Sequence, residues 1–229
     1  MNRPVTWRLA IGVAAVLSVT PASASGQQLP LEITIGAHGG GSIFTEFLEQ
    51  RVDGGEREIV AQTAAMIGGS ISFSSWPMTE VRVGADWAGT EIEARDDSGI
   101  ESDALDVDAL ADLNVVLGQL SIVRYVMPKD APIAPYLTLG VNVAVWALDE
   151  AAGGDLGAIE ETQIRYGATA GVGARFAVGP QVGLRIEIDR STVGNPFDGE
   201  SAFRVSGDTF DEPATVGILR LVGGLTYTL

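Results

Sequence analysis

Residues 163–178 read QIRYGATAGVGARFAV, and after Gly179-Pro180 residues 181–189 read QVGLRIEID. In the first run the even positions are Ile164, Tyr166, Ala168, Ala170, Val172, Ala174, Phe176 and Val178. The odd positions are Gln163, Arg165, Gly167, Thr169, Gly171, Gly173 and Arg175, with Ala177 the apolar exception. The second run repeats the pattern, with Val182, Leu184, Ile186 and Ile188 against Gly183, Arg185, Glu187 and Asp189. Side chains of a strand alternate between two faces, whereas those of a helix return every three to four residues. These two runs are therefore strands, and the Gly-Pro between them makes them a hairpin.

The same period of two extends outward from this hairpin. Leu31, Ile33, Ile35 and Ala37 alternate with Glu32, Thr34, Gly36 and His38. Further alternating runs occupy 65–74, 80–87, 137–145 and 219–229. A stretch from Asp112 to Met127 is less regular: Leu113, Val115 and Leu117 share one parity, and the phase is lost beyond Gly118-Gln119, where a bulge is expected. The total is eight strands. Their connections alternate in length: 76–78, 127–135 and 179–180 are short, whereas 40–61, 89–111, 148–162 and 191–216 are long. Phe44, Phe47 and Leu48 in the first long connection have the spacing of one face of a short helix.

Composition excludes several functions. The 229 residues include no Cys and one His, so a thiol nucleophile, disulfides and a Cys/His zinc site are ruled out. A net charge of -16 argues against nucleic acid, because phosphate binding needs basic surface. No cofactor motif is present. The Gly-rich run 36–42 (GAHGGGS) lacks the Lys-Ser/Thr of a phosphate loop and reads as a strand leading into a loop.

The first residues have the order of an export signal. Arg3 and Arg8 precede the apolar run 9–19, and Ala22-Ser23-Ala24 forms a small-residue cleavage pattern. Residues 1–24 are expected to be a signal peptide and residues 25–229 the mature domain. Removal of the two arginines takes the charge from -16 to -18.

A meander with unlike ends is a barrel, soluble or membrane-spanning, and the charges choose between the two. The polar parity carries Glu32, Glu80, Asp86, Asp112, Glu187 and Asp189 beside Arg82, Arg165, Arg175, Arg185 and Arg220. That near-balance, in so acidic a chain, suits charges enclosed and paired inside a lumen. The apolar parity, almost free of charge, suits lipid contact. Aromatics fall toward two ends: Phe73, Trp76, Tyr125, Tyr136, Phe176 and Tyr227 at one, Trp87, Trp146 and Tyr166 at the other. Tyr136 and Trp146 lie on the inward parity and are expected to cap the lumen instead of joining a belt.

The chain resembles the eight-stranded outer-membrane β-barrels of the OmpA/OmpX type. The resemblance is carried by 134–145 (APYLTLGVNVAV), the hairpin 166–189 and the final run LRLVGGLTYTL. It implies an all-β, antiparallel, up-and-down transmembrane barrel in the outer membrane of a Gram-negative cell. Short periplasmic turns, long acidic extracellular loops and a monomeric state follow from it, and no peptidoglycan-binding domain is expected. Gly224, Tyr227 and Leu229 are similar to the C-terminal signal read by the barrel-assembly machinery, although that signal usually ends in Phe.

The function implied is structural or surface interaction, with a lumen plugged by side chains and no enzymatic activity. A narrow pore for small solutes and a lipid-modifying enzyme are the alternatives. The enzyme reading would use His38 as a base near Ser42, but no His-x-Ser pair exists, and a polar lumen residue is the simpler account. Glu91, Glu93, Asp96, Asp97, Glu101, Asp103, Asp106 and Asp108 face Arg95 alone in one long connection. Divalent cations or basic surface partners suit such a loop, although no EF-hand register is present and no metal ligand is assigned.

Overall fold

The computed structural model describes residues 31–45, 48–52, 55–96, 111–150, 162–196, 210–211 and 214–229. The expected signal peptide, Phe47 and most of the acidic connection after β5 lie outside these residues. Eleven strands run in chain order: β1 (Glu32–Phe44), β2 (Leu48–Val52), β3 (Gly55–Ala61), β4 (Ala64–Trp76), β5 (Thr79–Asp96) and β6 (Ala111–Tyr125), followed by β7 (Ile133–Glu150), β8 (Thr162–Ala177), β9 (Val182–Gly194), β10 (Phe210–Asp211) and β11 (Thr215–Thr228). No helix occurs among the described residues.

Eight of these strands close an antiparallel barrel. Sequential neighbours from β4 to β9 pair with each other, β9 pairs with β11, and β1 bridges β11 and β4. The register of the closing seam runs from Thr34↔Thr228 to Phe44↔Ile218. The remaining strands extend the wall at one end. β3, which leads through Gln62-Thr63 into β4, prolongs the line of β4 and pairs with the far end of β5, and β2 and β10 add to it in turn. Phe44 and Leu48 thus belong to strands, not to a helix face, because strand pairing captures both segments.

The strand from Asp112 needs no bulge. Pairing of β6 proceeds without a break from Ala111 to Arg124 with β5 and from Ala111 to Tyr125 with β7. A register shift sits instead between Phe73 and Trp76 in β4. The irregular reading arose because both faces of β6 are apolar: Leu113, Val115 and Leu117 are buried inward, while Val116, Leu120 and Ile122 are exposed outward. By the same parity Asp112 is exposed on the outer wall and not in the lumen.

The outward parity is apolar along the whole girth. Ile67, Ile71, Leu137, Leu139, Val141, Leu184, Ile186, Leu221 and Leu225 are all exposed there. In water this would be a large adhesive surface, whereas in a bilayer it is the required one. The eight barrel strands span 13–18 residues, longer than the roughly 9–11 that cross a membrane, so each projects beyond it.

The interior is layered. Toward the end with the connections 97–110 and 151–161 lies an apolar cluster that includes Phe44, Met66, Ile92, Leu113, Trp146, Val193 and Ile218. Trp146 is 0% exposed and its ring centroid lies 6.2 Å from that of Phe44. Toward the end where Pro77-Met78 joins β4 to β5, the interior is charged and hydroxyl-rich. Tyr125 and Tyr136 pack edge-to-face there, at 5.3 Å, beside Val123, Ala134 and Met78. Both tyrosines face inward, and the most exposed outward aromatics are Trp76, Trp87, Tyr166 and Tyr227.

Candidate functional site: the charged lumen

Period-two geometry carries the charged residues inward, and strands on opposite sides of the barrel bring them together in the lumen. Glu80, Arg82 and Asp86 come from β5, Arg185, Glu187 and Asp189 from β9, and Arg220 from β11, all buried. Arg220 is the centre of one group. Its Nη1 donates to Asp86 Oδ2 at 2.6 Å, and its Nε and Nη2 donate to Asp189 Oδ1 at 2.8 and 2.6 Å. Thr169 Oγ1 also donates to Asp189 Oδ1.

Arg82 is the centre of a second group. Its Nη1 donates to Glu187 Oε2 at 2.7 Å and its Nη2 to Glu80 Oε1 at 2.9 Å. The guanidinium stands over the Tyr136 ring, 5.4 Å from the centroid. Tyr136 Oη donates to Glu187 at 2.6 Å, and Tyr125 Oη to Glu80 at 3.2 Å. Each buried carboxylate therefore meets a guanidinium and a second donor, which is how ions are kept charged away from water.

His38 joins the two groups. Its Nε2 is bonded to Asp86 Oδ1, and its Nδ1 lies 3.1 Å from Arg185 Nη2. Arginine is only a donor, so Nδ1 is the acceptor and the proton sits on Nε2. Room for the ring comes from glycine on both flanking strands, since His38 pairs with Gly68 on β4 and with Gly224 on β11. A Cβ on Gly224 would stand 2.6 Å from His38 Cβ, and one on Gly68 would stand 2.8 Å from His38 Nε2. Gly224, named in the sequence for assembly, thus also has a packing role. Ser42, on the same strand face, gives its hydroxyl to Ala64 O and makes no bond to His38.

The other sequence-selected charges sit apart from this centre. Glu32 pairs at 2.7 Å with Lys129, the sole lysine, at the rim of the short-turn end. Arg175, also toward that end, donates to Lys129 O and Thr228 Oγ1. Arg165 lies at the opposite end, its Nε donating to Asn195 O at 2.8 Å. Tyr227 and Leu229 stay on the outer wall, with Tyr227 Oη donating to Gln181 Oε1. Sequence reasoning did not foresee Tyr125, Tyr136 or Lys129 as partners of the acids. The inward parity of the tyrosines and the turn position of Lys129 were the available signals.

No metal-binding group of three or more His, Asp or Glu occurs among the described residues. Within the apolar layer Trp146, Leu113, Val193 and Val216 are 0% exposed.

Comparison with known proteins agrees with this architecture. The chain aligns with the outer membrane protein OprG of Pseudomonas aeruginosa at a TM-score of 0.60 and 15% identity, covering 89% of this chain and 98% of that one. It aligns with Neisserial surface protein A at a TM-score of 0.52 and 15% identity, covering 85% and 96%. For the outer membrane protein AlkL the TM-score is 0.53 at 14% identity, covering 92% and 95%. At such identities the likeness is one of fold. No curated protein matches the sequence. The family model for the outer membrane protein beta-barrel domain matches residues 11–211. The chain belongs to the outer membrane protein β-barrel family and is a protein of the cell outer membrane.

Proposed function

We propose that the protein is a closed outer-membrane barrel with a structural or surface-interaction role and no enzymatic activity. The observation that carries this reading is Arg220 clamped between Asp86 and Asp189 at 2.6 Å, beneath an apolar layer centred on the fully buried Trp146. A solute would have to break the ion pairs and then cross a dry layer, and apolar constrictions of this kind block ions by excluding water. Both ring nitrogens of His38 are engaged, and Ser42 turns its hydroxyl to Ala64 O, which favours a non-catalytic role for the histidine.

In this reading residues 1–24 are removed on export, the short turns face the periplasm and the long acidic connections face outward. The outer wall contacts lipid, the last strand is recognised by the barrel-assembly machinery, and the barrel acts as a monomer. The outward connections are the surface on which basic partners or divalent cations would act. Planar-bilayer recording of the refolded protein tests the closed lumen. No large, stable conductance is expected, and observing one would replace this reading with a pore.

A further inference from the structure

We propose that the short-turn end of the lumen is a binding site for one small monovalent anion of chloride size, held by Arg175, Arg185 and Arg82. Arg175 on β8 and Arg185 on β9 are direct cross-strand partners, and both point into the barrel. Like charges placed opposite each other on adjacent strands repel, and the repulsion grows where water is scarce. Their neutralisation by protein groups is incomplete. Arg175 has no carboxylate partner among the described residues and gives its terminal nitrogens to Lys129 O at 2.9 Å and Thr228 Oγ1 at 3.4 Å. Among the carboxylates of the described residues Arg185 meets Glu187 alone, at 3.8 Å, and its terminal nitrogens go to His38 Nδ1 and Ser70 Oγ.

Two further donors point to a ligand. Nε of Arg82 and Nε of Arg175 are both buried and have no hydrogen-bond acceptor. Arg82 as a whole is 5% exposed. A buried donor left without an acceptor is costly, so an acceptor is expected beside it. The three arginines line one small cavity, together with Glu80, Tyr125 and the hydroxyls of Thr34, Ser70, Ser72 and Thr226. Both oxygens of Glu80 already accept, one from Arg82 and one from Tyr125.

Size and charge then define the ligand. About 10 Å³ is open to the centre of a water-sized group, room for a single such sphere and too little for sulfate or phosphate. At this end three guanidinium groups meet the two carboxylates of Glu80 and Glu187, a local excess of one positive charge that a monovalent anion would offset, while the matching surplus carboxylate lies across His38, where Asp86 and Asp189 share Arg220. Gly183 leaves room for two of the lining residues, because a Cβ there would stand 2.8 Å from both Arg175 Nε and Thr226 Oγ1.

The test uses the full-length protein refolded in detergent micelles. Chloride-35 NMR should show excess line broadening that bromide relieves. Thermal midpoints should be higher in sodium chloride than in sodium gluconate at equal ionic strength, with a saturating dependence on chloride. At chloride one hundred times its dissociation constant, the folded-to-unfolded ratio rises about 100-fold. Arg175→Gln should remove the broadening and the chloride shift, while Arg124→Gln, on the outer wall, should keep both. If Arg175→Gln does not fold, the wild-type spectra decide alone. Absence of excess broadening, or midpoints that are equal or differ without saturating, would overturn the proposal and leave water as the occupant.

Discussion

Arg82 and Glu187 are 105 residues apart in the chain and 2.7 Å apart in the lumen. Neither is alone with the other, since Arg82 also holds Glu80, and Glu187 also faces Arg185. Glu187→Leu should therefore strand Arg185 and destabilise by about 3–5 kcal/mol. Adding Arg185→Met should restore part of that loss, because Arg82 keeps Glu80 and the stranded Arg185 is gone. Urea unfolding in lipid vesicles measures both; a double variant no more stable than the single one would contradict the network.

The outer wall makes a separate demand. Leu184 and Ile186 are about half exposed, on the face assigned to lipid. Arg at either position should cost roughly 2–4 kcal/mol near the bilayer midplane. Thr169→Ser, on the inward face, should stay within about 0.5 kcal/mol. Equal tolerance on both faces would reverse the assignment.

Tryptophan fluorescence reads the same parity without changing a charge. Trp87 is 48% exposed on the wall and Trp146 is 0% exposed in the lumen. In single-tryptophan variants, brominated lipids should quench Trp87 and leave Trp146 bright. Quenching of Trp146 would place it outside the barrel.

Gly224 separates packing from recognition. Gly224→Ala sets a Cβ against His38, and overpacking of this kind costs about 1–3 kcal/mol. The loss should appear in refolding without any cellular machinery. Normal stability in vitro with poor assembly in cells would assign the residue to recognition alone.

Orientation is accessible on whole cells. Protease added outside should cut within 97–108 while the barrel survives. Cuts that appear only after the outer membrane is permeabilised would turn the long connections inward.

The fold was legible wherever one face of a strand was polar. In β8 and β9 the contrast of Leu184 and Ile186 with Arg185 and Glu187 sets the phase without help from tertiary structure. In β6 it was not, because Val115, Val116 and Leu117 are apolar on both faces, and only pairing with β5 and β7 decides which side is inside. The membership of the charged lumen was largely legible for the same reason that the strands were. The pairings were not. Which acid meets which arginine depends on the stagger between strands distant in sequence, as with Asp86 and Arg220, 134 residues apart. The apolar half of the lumen escaped notice because period two reports a change of face, not the polarity of the space beyond it.

The seam between β1 and β11 has a consequence for timing. Thr34 and Thr228 are 194 residues apart, and every other barrel strand lies between them. Until the C-terminal residues are delivered, the sheet is an open ribbon with two hungry edges, and such edges pair with whatever strand they meet. Pairing over so long a span is also slow, since the whole intervening chain must be ordered first. The cylinder is thus completed in one late event, once β11 has been made and delivered. A nascent chain of this protein must be kept from its neighbours throughout that interval.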